Sequence, residues 1–187
     1  TYDQIESIIV VDDGSTDETK SNIESRFGNG ESKVRYIYQK NAGVAEARNR
    51  GITASSSKYI CCLDADDTIL PEFIGTCVAE LEADRSLGIA YTKLRWVHKG
   101  GRSEVSKWPG EFDYDAQIRK PNQVPTCCVF RREAWERIGG YRSRYCPKGA
   151  GSEDAAFWTM FGAIGYGAKL ATDEPLFIYS TGEGAVT

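Results

Sequence analysis

Ile5-Glu6-Ser7-Ile8-Ile9-Val10-Val11-Asp12-Asp13-Gly14-Ser15 joins a β-branched run to a cluster of turn-forming residues. The run reads as a buried strand over 5–11 that ends in a turn. Ser15 and Glu18 then have the spacing of a capping box, with Asp17 in the same first turn. Ile23 and Phe27 lie four apart on the core side of the helix this starts, and Gly28 suits its stop. The same alternation recurs downstream. Residues 34–38 read as a second strand, and Asn41-Ala42-Gly43 turns into a helix over 44–54. The continuous apolar stretch 59–63 reads as a strand covered on both faces. Pro71 fits the first turn of a helix whose apolar stripe is Phe73, Ile74, Cys77, Val78 and Leu81. A strand over 87–97 follows. Strand and helix in alternation predict an α/β domain with a mostly parallel central sheet wrapped by helices.

Beyond residue 98 the pattern loosens. Lys99-Gly100-Gly101 reads as a turn, and 108–122 has no clean period. Residues 124–130 read as a strand and 132–138 as a short helix before Gly139-Gly140. A loop over 142–152, a helix over 153–164 and a last strand within 168–179 complete the reading. No internal repeat, low-complexity tract or linker divides the 187 residues, so 1–187 is expected to be one domain.

The composition narrows the function classes. Hydrophobic residues make up 41% and charged residues 27%, as in an ordinary globular protein. A net charge of −4 with no long basic stretch argues against nucleic acid as a partner. No apolar run has the length of a membrane span. Of the cysteines, Cys61-Cys62 and Cys127-Cys128 are adjacent pairs inside apolar runs, while Cys77 and Cys146 stand alone. No C-x-x-C pair occurs, and His98, read as a surface strand residue, is the sole histidine. A zinc site of the usual kind is therefore not expected, and a reducing, cytoplasmic setting is, including the cytoplasmic face of a membrane.

Ligands in open α/β sheets bind beyond the carboxyl ends of the parallel strands. Two predicted strands end in carboxylates there: Asp12-Asp13 after the first, and Asp64-Ala65-Asp66-Asp67 after the third. Each cluster alone reads equally well as turn or cap chemistry. Two at equivalent strand ends favour function and predict convergence on one rim. In an extended segment Asp64 and Asp66 would share a side. Two such carboxylates can hold a hard divalent cation, Mn2+ or Mg2+, that keeps places open for phosphate oxygens. Alternatively, one holds the cation and the other a sugar hydroxyl.

Four segments together carry a family resemblance. Residues 10–17, Val-Val-Asp-Asp-Gly-Ser-Thr-Asp, resemble the first signature of the family 2 glycosyltransferases, which have the GT-A fold. Residues 40–51, Lys-Asn-Ala-Gly-Val-Ala-Glu-Ala-Arg-Asn-Arg-Gly, resemble the second. Leu63-Asp64-Ala65-Asp66-Asp67 resembles the DxD motif, and Ser152-Glu153-Asp154 the acidic pair that carries the catalytic base. Each motif alone is weak, but four in order are specific. The resemblance implies a three-layer, Rossmann-like GT-A domain that moves a sugar with inversion from a nucleotide-diphosphate sugar, uridine being commonest, to an acceptor hydroxyl. It further implies a carbohydrate or glycolipid acceptor, and polysaccharide or glycoconjugate synthesis. By the resemblance Asp13 would bond the nucleotide base, and Arg48 with Asn41 would help bind the nucleotide. Asp64 or Asp66 would touch the ribose. Asp66 would lead in binding the metal, with Asp67 also a candidate because related enzymes differ here. Asp154, paired with Glu153, would take the acceptor's proton. Family members begin with a strand, loop and helix ahead of the segment matching Thr1-Tyr2-Asp3. The resemblance therefore implies that the usual first strand is missing and that the domain is cut short at both termini.

Other readings of the same residues exist. An exposed helix arginine is the bland account of Arg48, and helix-dipole charge that of Glu153-Asp154. Phe157, Trp135 and Trp158 suit either core or acceptor cleft. Leu63-Asp64-Ala65-Asp66-Asp67-Thr68 also resembles the DxDxT motif of haloacid-dehalogenase-type phosphatases, with Asp64 as nucleophile and Asp66 as general acid. That motif follows a first strand, whereas two strands precede it here, and no downstream lysine motif accompanies it. A domain that binds nucleotide sugar or glycan without catalysis is the second rival, and a sugar nucleotidyltransferase the third.

Overall fold

A computed structural model of the chain describes residues 2–28, 33–119, 123–142 and 153–181. The elements in order are β1 (Ile8–Asp12), α1 (Thr19–Phe27), β2 (Val34–Tyr38), α2 (Val44–Thr53), β3 (Tyr59–Cys61), β4 (Thr68–Ile69) and α3 (Phe73–Ala83). Then come β5 (Leu87–His98), β6 (Ser103–Val105), α4 (Tyr114–Arg119), β7 (Val129–Arg131), α5 (Arg132–Ile138), α6 (Glu153–Ala163) and β8 (Gly167–Thr181).

β1 and β2 pair in parallel. The remaining strands form a sheet of order β3-β7-β5-β8-β4, with β6 added to β5. β3 and β5 both run antiparallel to β7, and β8 runs parallel to β5. The long β5 and β8 therefore share one direction with β3, and the short β4, β6 and β7 oppose them. The curled sheet is thus mixed.

Side chains on a strand alternate between faces, and this splits the core in two. Ile60, Ile89, Tyr91, Cys128 and Phe130 face one side, against α2, α5 and α6. Ala90, Leu94, Cys127, Val129 and Phe177 face the other, against the Phe73, Cys77, Val78 and Leu81 stripe of α3. Three layers result. Phe157 and Trp158 are 3% and 0% exposed and belong to the first core, where their rings pack against Phe130. That settles both as core rather than cleft lining.

The local reading needs several corrections. Ser15 caps nothing: its backbone N–H bonds Asp12, and α1 starts later, with Asp17 Oδ1 accepting from the Thr19 amide. Pro71 precedes α3 instead of lying in its first turn. The strand expected over 124–130 shrinks to Val129–Arg131, because Pro125 offers no N–H to a neighbouring strand. β4, β6 and α4 were not foreseen. The 2-residue β4 and 3-residue β6 are too short to show a period. α4 is organised around a polar residue: Gln117 is fully buried, and its Nε2 bonds the Ala155 carbonyl and Thr159 Oγ1 of α6.

Successive arginines tie the helices to the sheet at the end away from the carboxylate loops. Arg131 donates to the carbonyls of Leu81 and Asp84 at the end of α3. Arg132 donates to Ile52, in the last turn of α2, and to Ser57. Both guanidinium groups meet the negative ends of helices, where cations are favoured. The described cysteines, Cys61, Cys62, Cys77, Cys127 and Cys128, are free thiols. Cys146, residues 143–152 of the expected loop and 182–187 lie outside the described residues.

Candidate functional site

The turn after β1 is built around Asp12. Its Oδ1 accepts the backbone N–H of Gly14 and Ser15 at 3.1 and 2.7 Å, and its Oδ2 accepts the Tyr36 hydroxyl of β2 at 2.5 Å. The Tyr36 hydroxyl first, and then the Ser15 amide, hold this carboxyl below the usual aspartate range. Gly14 has φ +92°, and a Cβ there would lie 2.9 Å from the Asn41 amide nitrogen. Only glycine lets the two turns close so tightly. Asn41 itself is exposed on the second turn.

Asp13 reaches across that contact. Its Oδ1 accepts from Gln39 Nε2 at 2.7 Å and from the Ala42 amide at 2.8 Å, and its Oδ2 accepts from the Gly43 amide at 2.9 Å. Burial alone would raise its pKa, but these three bonds outweigh it and hold the carboxyl low. Gly43 is the N-cap of α2, where the helix dipole also favours an anion. A carboxylate has about four lone-pair positions, so Asp13 retains acceptor capacity for one further donor.

Arg48 lies five residues along the same helix, about 7.5 Å further along its axis. Its side chain is 8% exposed and bridges two acids: Nη2 lies 3.0 Å from Asp64 Oδ1, and Nη1 2.5 Å from Glu153 Oε1. The exposed-arginine reading is thereby overturned. One guanidinium draws together the loop after β3 and the start of α6, which are 89 residues apart in sequence (153 minus 64). Partial burial strengthens the attraction between these charges relative to an open surface, against the cost of desolvating the guanidinium.

The acids after β3 point in different directions. The Asp67 amide bonds the Asp64 carbonyl at 3.1 Å, so these residues form a turn, and the alternation expected of an extended segment does not apply. Asp64 is half-buried and faces Arg48. Asp66 is exposed, with no ion pair or side-chain hydrogen bond among the described residues. Asp67 turns inward, 9% exposed, and accepts the Ser180 amide of β8 at 2.9 Å. Burial pushes its pKa up to about 6. Among the described residues, no group of three His, Cys, Asp or Glu side chains stands ready as a metal cage. The open Asp66 carboxylate is the donor best suited to a hard cation that takes its remaining oxygens from a ligand.

Glu153 and Asp154 open α6. Glu153 faces Arg48, whereas Asp154 points into the protein at 3% exposure. Asp154 Oδ2 accepts the Thr126 hydroxyl at 2.7 Å, and Oδ1 its neighbour's Ala155 amide at 2.8 Å. A helix N-terminus by itself favours the ionised form. Burial dominates instead and raises the pKa, with the Thr126 bond opposing it. Asp154 is accordingly a stronger base than a solvated aspartate.

Tyr36 and Thr126, which bond Asp12 and Asp154, and Asn49 and Tyr141, which pack beside Arg48, belong to no acidic motif and were not singled out in the sequence. Only Asn49, next to Arg48 within the second signature, carried any local signal.

With the geometry in hand, known proteins can be compared. The family model for Glycosyl transferase family 2 matches residues 1–139. Chondroitin synthase of Pasteurella multocida (strain Pm70) is 34% identical over 156 residues, covering 82% of this chain and 15% of that protein. Escherichia coli chondroitin synthase is 35% identical over 104 residues, 54% of this chain and again 15% of the relative. This chain therefore spans only a small part of those relatives. S. aureus TarS 1-349 in complex with UDP-GlcNAc superposes with a TM-score of 0.73 at 18% identity, over 95% of this chain and 50% of the other. The mannosyltransferase PcManGT from Pyrobaculum calidifontis, in complex with GDP-Man and Mn2+, gives 0.67 at 21% identity, over 96% and 49%. The fold is the GT-A fold of these enzymes. The phosphatase reading falls away, since the match also covers the first two signatures, which that reading left unexplained. By the length and order of that match, the chain belongs to glycosyl transferase family 2.

Proposed function

We propose that residues 1–187 form one catalytic domain that transfers a sugar, with inversion, from a uridine-diphosphate sugar to a hydroxyl of a carbohydrate or glycolipid. The observation that carries this reading is the Arg48 bridge, which joins Asp64, at the end of a sheet strand, to the Glu153-Asp154 pair. The donor side would lie along α2 and the β3 turn. Asp13, with one acceptor position left beside the α2 N-terminus, takes an N–H of the nucleotide base, and Asn41 and Arg48 line the same path. Asp64 accepts from the ribose.

Mn2+ or Mg2+ fits the exposed Asp66 carboxylate, with Asp64 beside it; Asp67 is committed to Ser180 and is the weaker candidate. When bound there, the ion supplies positive charge against the departing diphosphate. PcManGT, whose structure holds Mn2+ with GDP-Man, is a precedent for such a cation in this fold. On the acceptor side Asp154 takes the hydroxyl proton at a carboxylate oxygen, and Thr126 orients it. The freed oxygen attacks the anomeric carbon opposite the diphosphate, which inverts the configuration. Glu153 pairs with Arg48 and holds the helix start toward the donor.

Polysaccharide or glycoconjugate synthesis is the setting this implies, in line with the named activities of the chondroitin synthase relatives. We place it on the cytoplasmic side, where free thiols persist. Among the described residues, no helix is long and apolar enough to cross a membrane. The test is a screen of the full-length protein against nucleotide sugars with Mn2+ or Mg2+, with product configuration read by NMR. Inverted transfer from a uridine-diphosphate sugar is expected. A retained configuration, or phosphate release from simple phosphomonoesters without sugar transfer, rejects the reading.

A further inference from the structure

Asn49 follows Arg48 on α2 but turns to a different partner. Its Oδ1 accepts the Tyr141 amide at 2.9 Å, and its Nδ2 donates to the Tyr141 carbonyl at 2.9 Å. One side-chain amide thus pairs with both backbone groups of a single residue, as a neighbouring strand would. The Trp135 indole N–H adds a third bond, to the same Oδ1 at 3.1 Å. Two donors converge on that atom, so the amide has only one orientation that satisfies the network. The approach is close enough to dictate the preceding residue: Gly140 has φ +83°, and a Cβ there would lie 2.7 Å from Asn49 Oδ1.

What this staple holds is the surface on which Arg48 rests. The Tyr141 ring is 2% exposed and packs on Phe157 with centroids 4.0 Å apart. The Arg48 guanidinium carbon lies 5.5 Å from its centroid, a cation–π contact away from water. Arg48 Nε is buried without a hydrogen bond. The guanidinium is therefore aimed by two carboxylates and one ring, and the ring stays in place through Asn49.

We propose that Asn49 is a positioning residue: by fixing Tyr141 beneath Arg48 it aims the guanidinium that joins Asp64 to Glu153. This rests on the glycosyltransferase reading for its kinetic consequence and on geometry alone for its structural one. Two measurements on the full-length protein keep them apart. The first follows the Arg48 guanidinium by NMR after selective arginine labelling. Held between two carboxylates, it rotates slowly and its Nη signals are distinct; in Asn49→Ala they merge. This readout needs no activity. The second is a kinetic cycle. Asn49→Ala lowers kcat about tenfold or more through misplacement and raises the donor KM with it, since Arg48 lines the donor path. The same substitution in an Arg48→Ala background lowers kcat no further, because residues acting through one another are not additive. Tyr141→Leu leaves the backbone staple and removes the ring. It reproduces the kcat loss, so the idea stays testable if Asn49→Ala folds poorly. Distinct Nη signals in Asn49→Ala, losses that add in the double variant, or wild-type kcat in Tyr141→Leu overturn the proposal.

Discussion

On the proposed role of Asp154 as base, replacing it with asparagine separates catalysis from stability, because the two expected effects have opposite signs. The side chain is 3% exposed and held by Thr126 and the Ala155 amide. Asparagine has the same shape. Its oxygen still accepts the Ala155 N–H, and its nitrogen donates to the Thr126 hydroxyl, which rotates to receive it. The local structure survives while the proton acceptor is lost. Loss of a general base lowers turnover by at least about a hundredfold, or about 2.7 kcal/mol of barrier. Donor affinity is expected to stay near that of the wild type, because the proposed donor contacts, Asp13 and Asp64, bond groups other than Asp154.

Stability moves the other way. Burial raises the Asp154 pKa above that of the unfolded chain. Its contribution to stability is therefore fully present below the unfolded aspartate value of about 3.9 and is lost as pH rises through the raised folded value. At pH 7 the buried charge is a net penalty, and Asp154→Asn removes it. The variant is expected to melt at or above the wild-type temperature at pH 7 and to lose that advantage near pH 4. The wild-type kcat/KM has an acid limb above the ordinary aspartate range, and any residual activity of the variant lacks it. The assays are turnover of the full-length protein with product anomers resolved by NMR, and thermal melts across pH. Wild-type turnover in the variant refutes the base assignment, and a melting temperature several degrees lower at pH 7 refutes the burial argument.

Three further outcomes follow from the geometry. Asp66→Ala should abolish the rise in Mn2+ affinity that uridine diphosphate produces in a metal titration; an equal rise in both proteins removes Asp66 from the metal role. Tyr36→Phe deletes the hydroxyl that does most to hold Asp12 low. Stability from a depressed aspartate is present above its unfolded pKa and is lost as pH falls through the folded one. Acid unfolding of this variant, followed by fluorescence, should therefore have its midpoint at higher pH than wild type, and an unchanged midpoint contradicts the account. Phe130→Ala empties the centre of an aromatic cluster made with Tyr141, Phe157, Trp158 and Phe161. It should cost about 3–5 kcal/mol in urea unfolding, and a loss under about 1 kcal/mol means that the cluster closes over the gap.

The readings that held were local ones. Runs of strand-forming and apolar residues marked β1, β2 and β3, and of the α3 stripe Phe73, Cys77, Val78 and Leu81 are buried while Ile74 is half-buried. The acidic turns were found because a strand end followed by aspartates is contiguous in the chain. Where the sequence reading missed, the deciding partner was distant or polar. α4 organises around buried Gln117, which no hydrophobic pattern marks. The capping box at Ser15 lost to Asp12, whose carboxylate had first claim on the Ser15 amide.

The sequence by itself determined the class of fold, the family, and which carboxylates lie at strand and helix ends, since periodicity and motif order are written along the chain. Only the tertiary structure decided what each carboxylate faces. Asp66 is open, Asp67 is tied to β8, Asp13 is shared with the start of α2, and Asp154 is buried against Thr126. The bonds that set these differences join residues 28 to 113 positions apart. Arg48 meets Glu153 across 105 positions, and Asn49 meets Tyr141 across 92. A side chain's ionisation and aim depend on desolvation and on donors within about 3 Å. Neither is defined until packing brings those distant segments together.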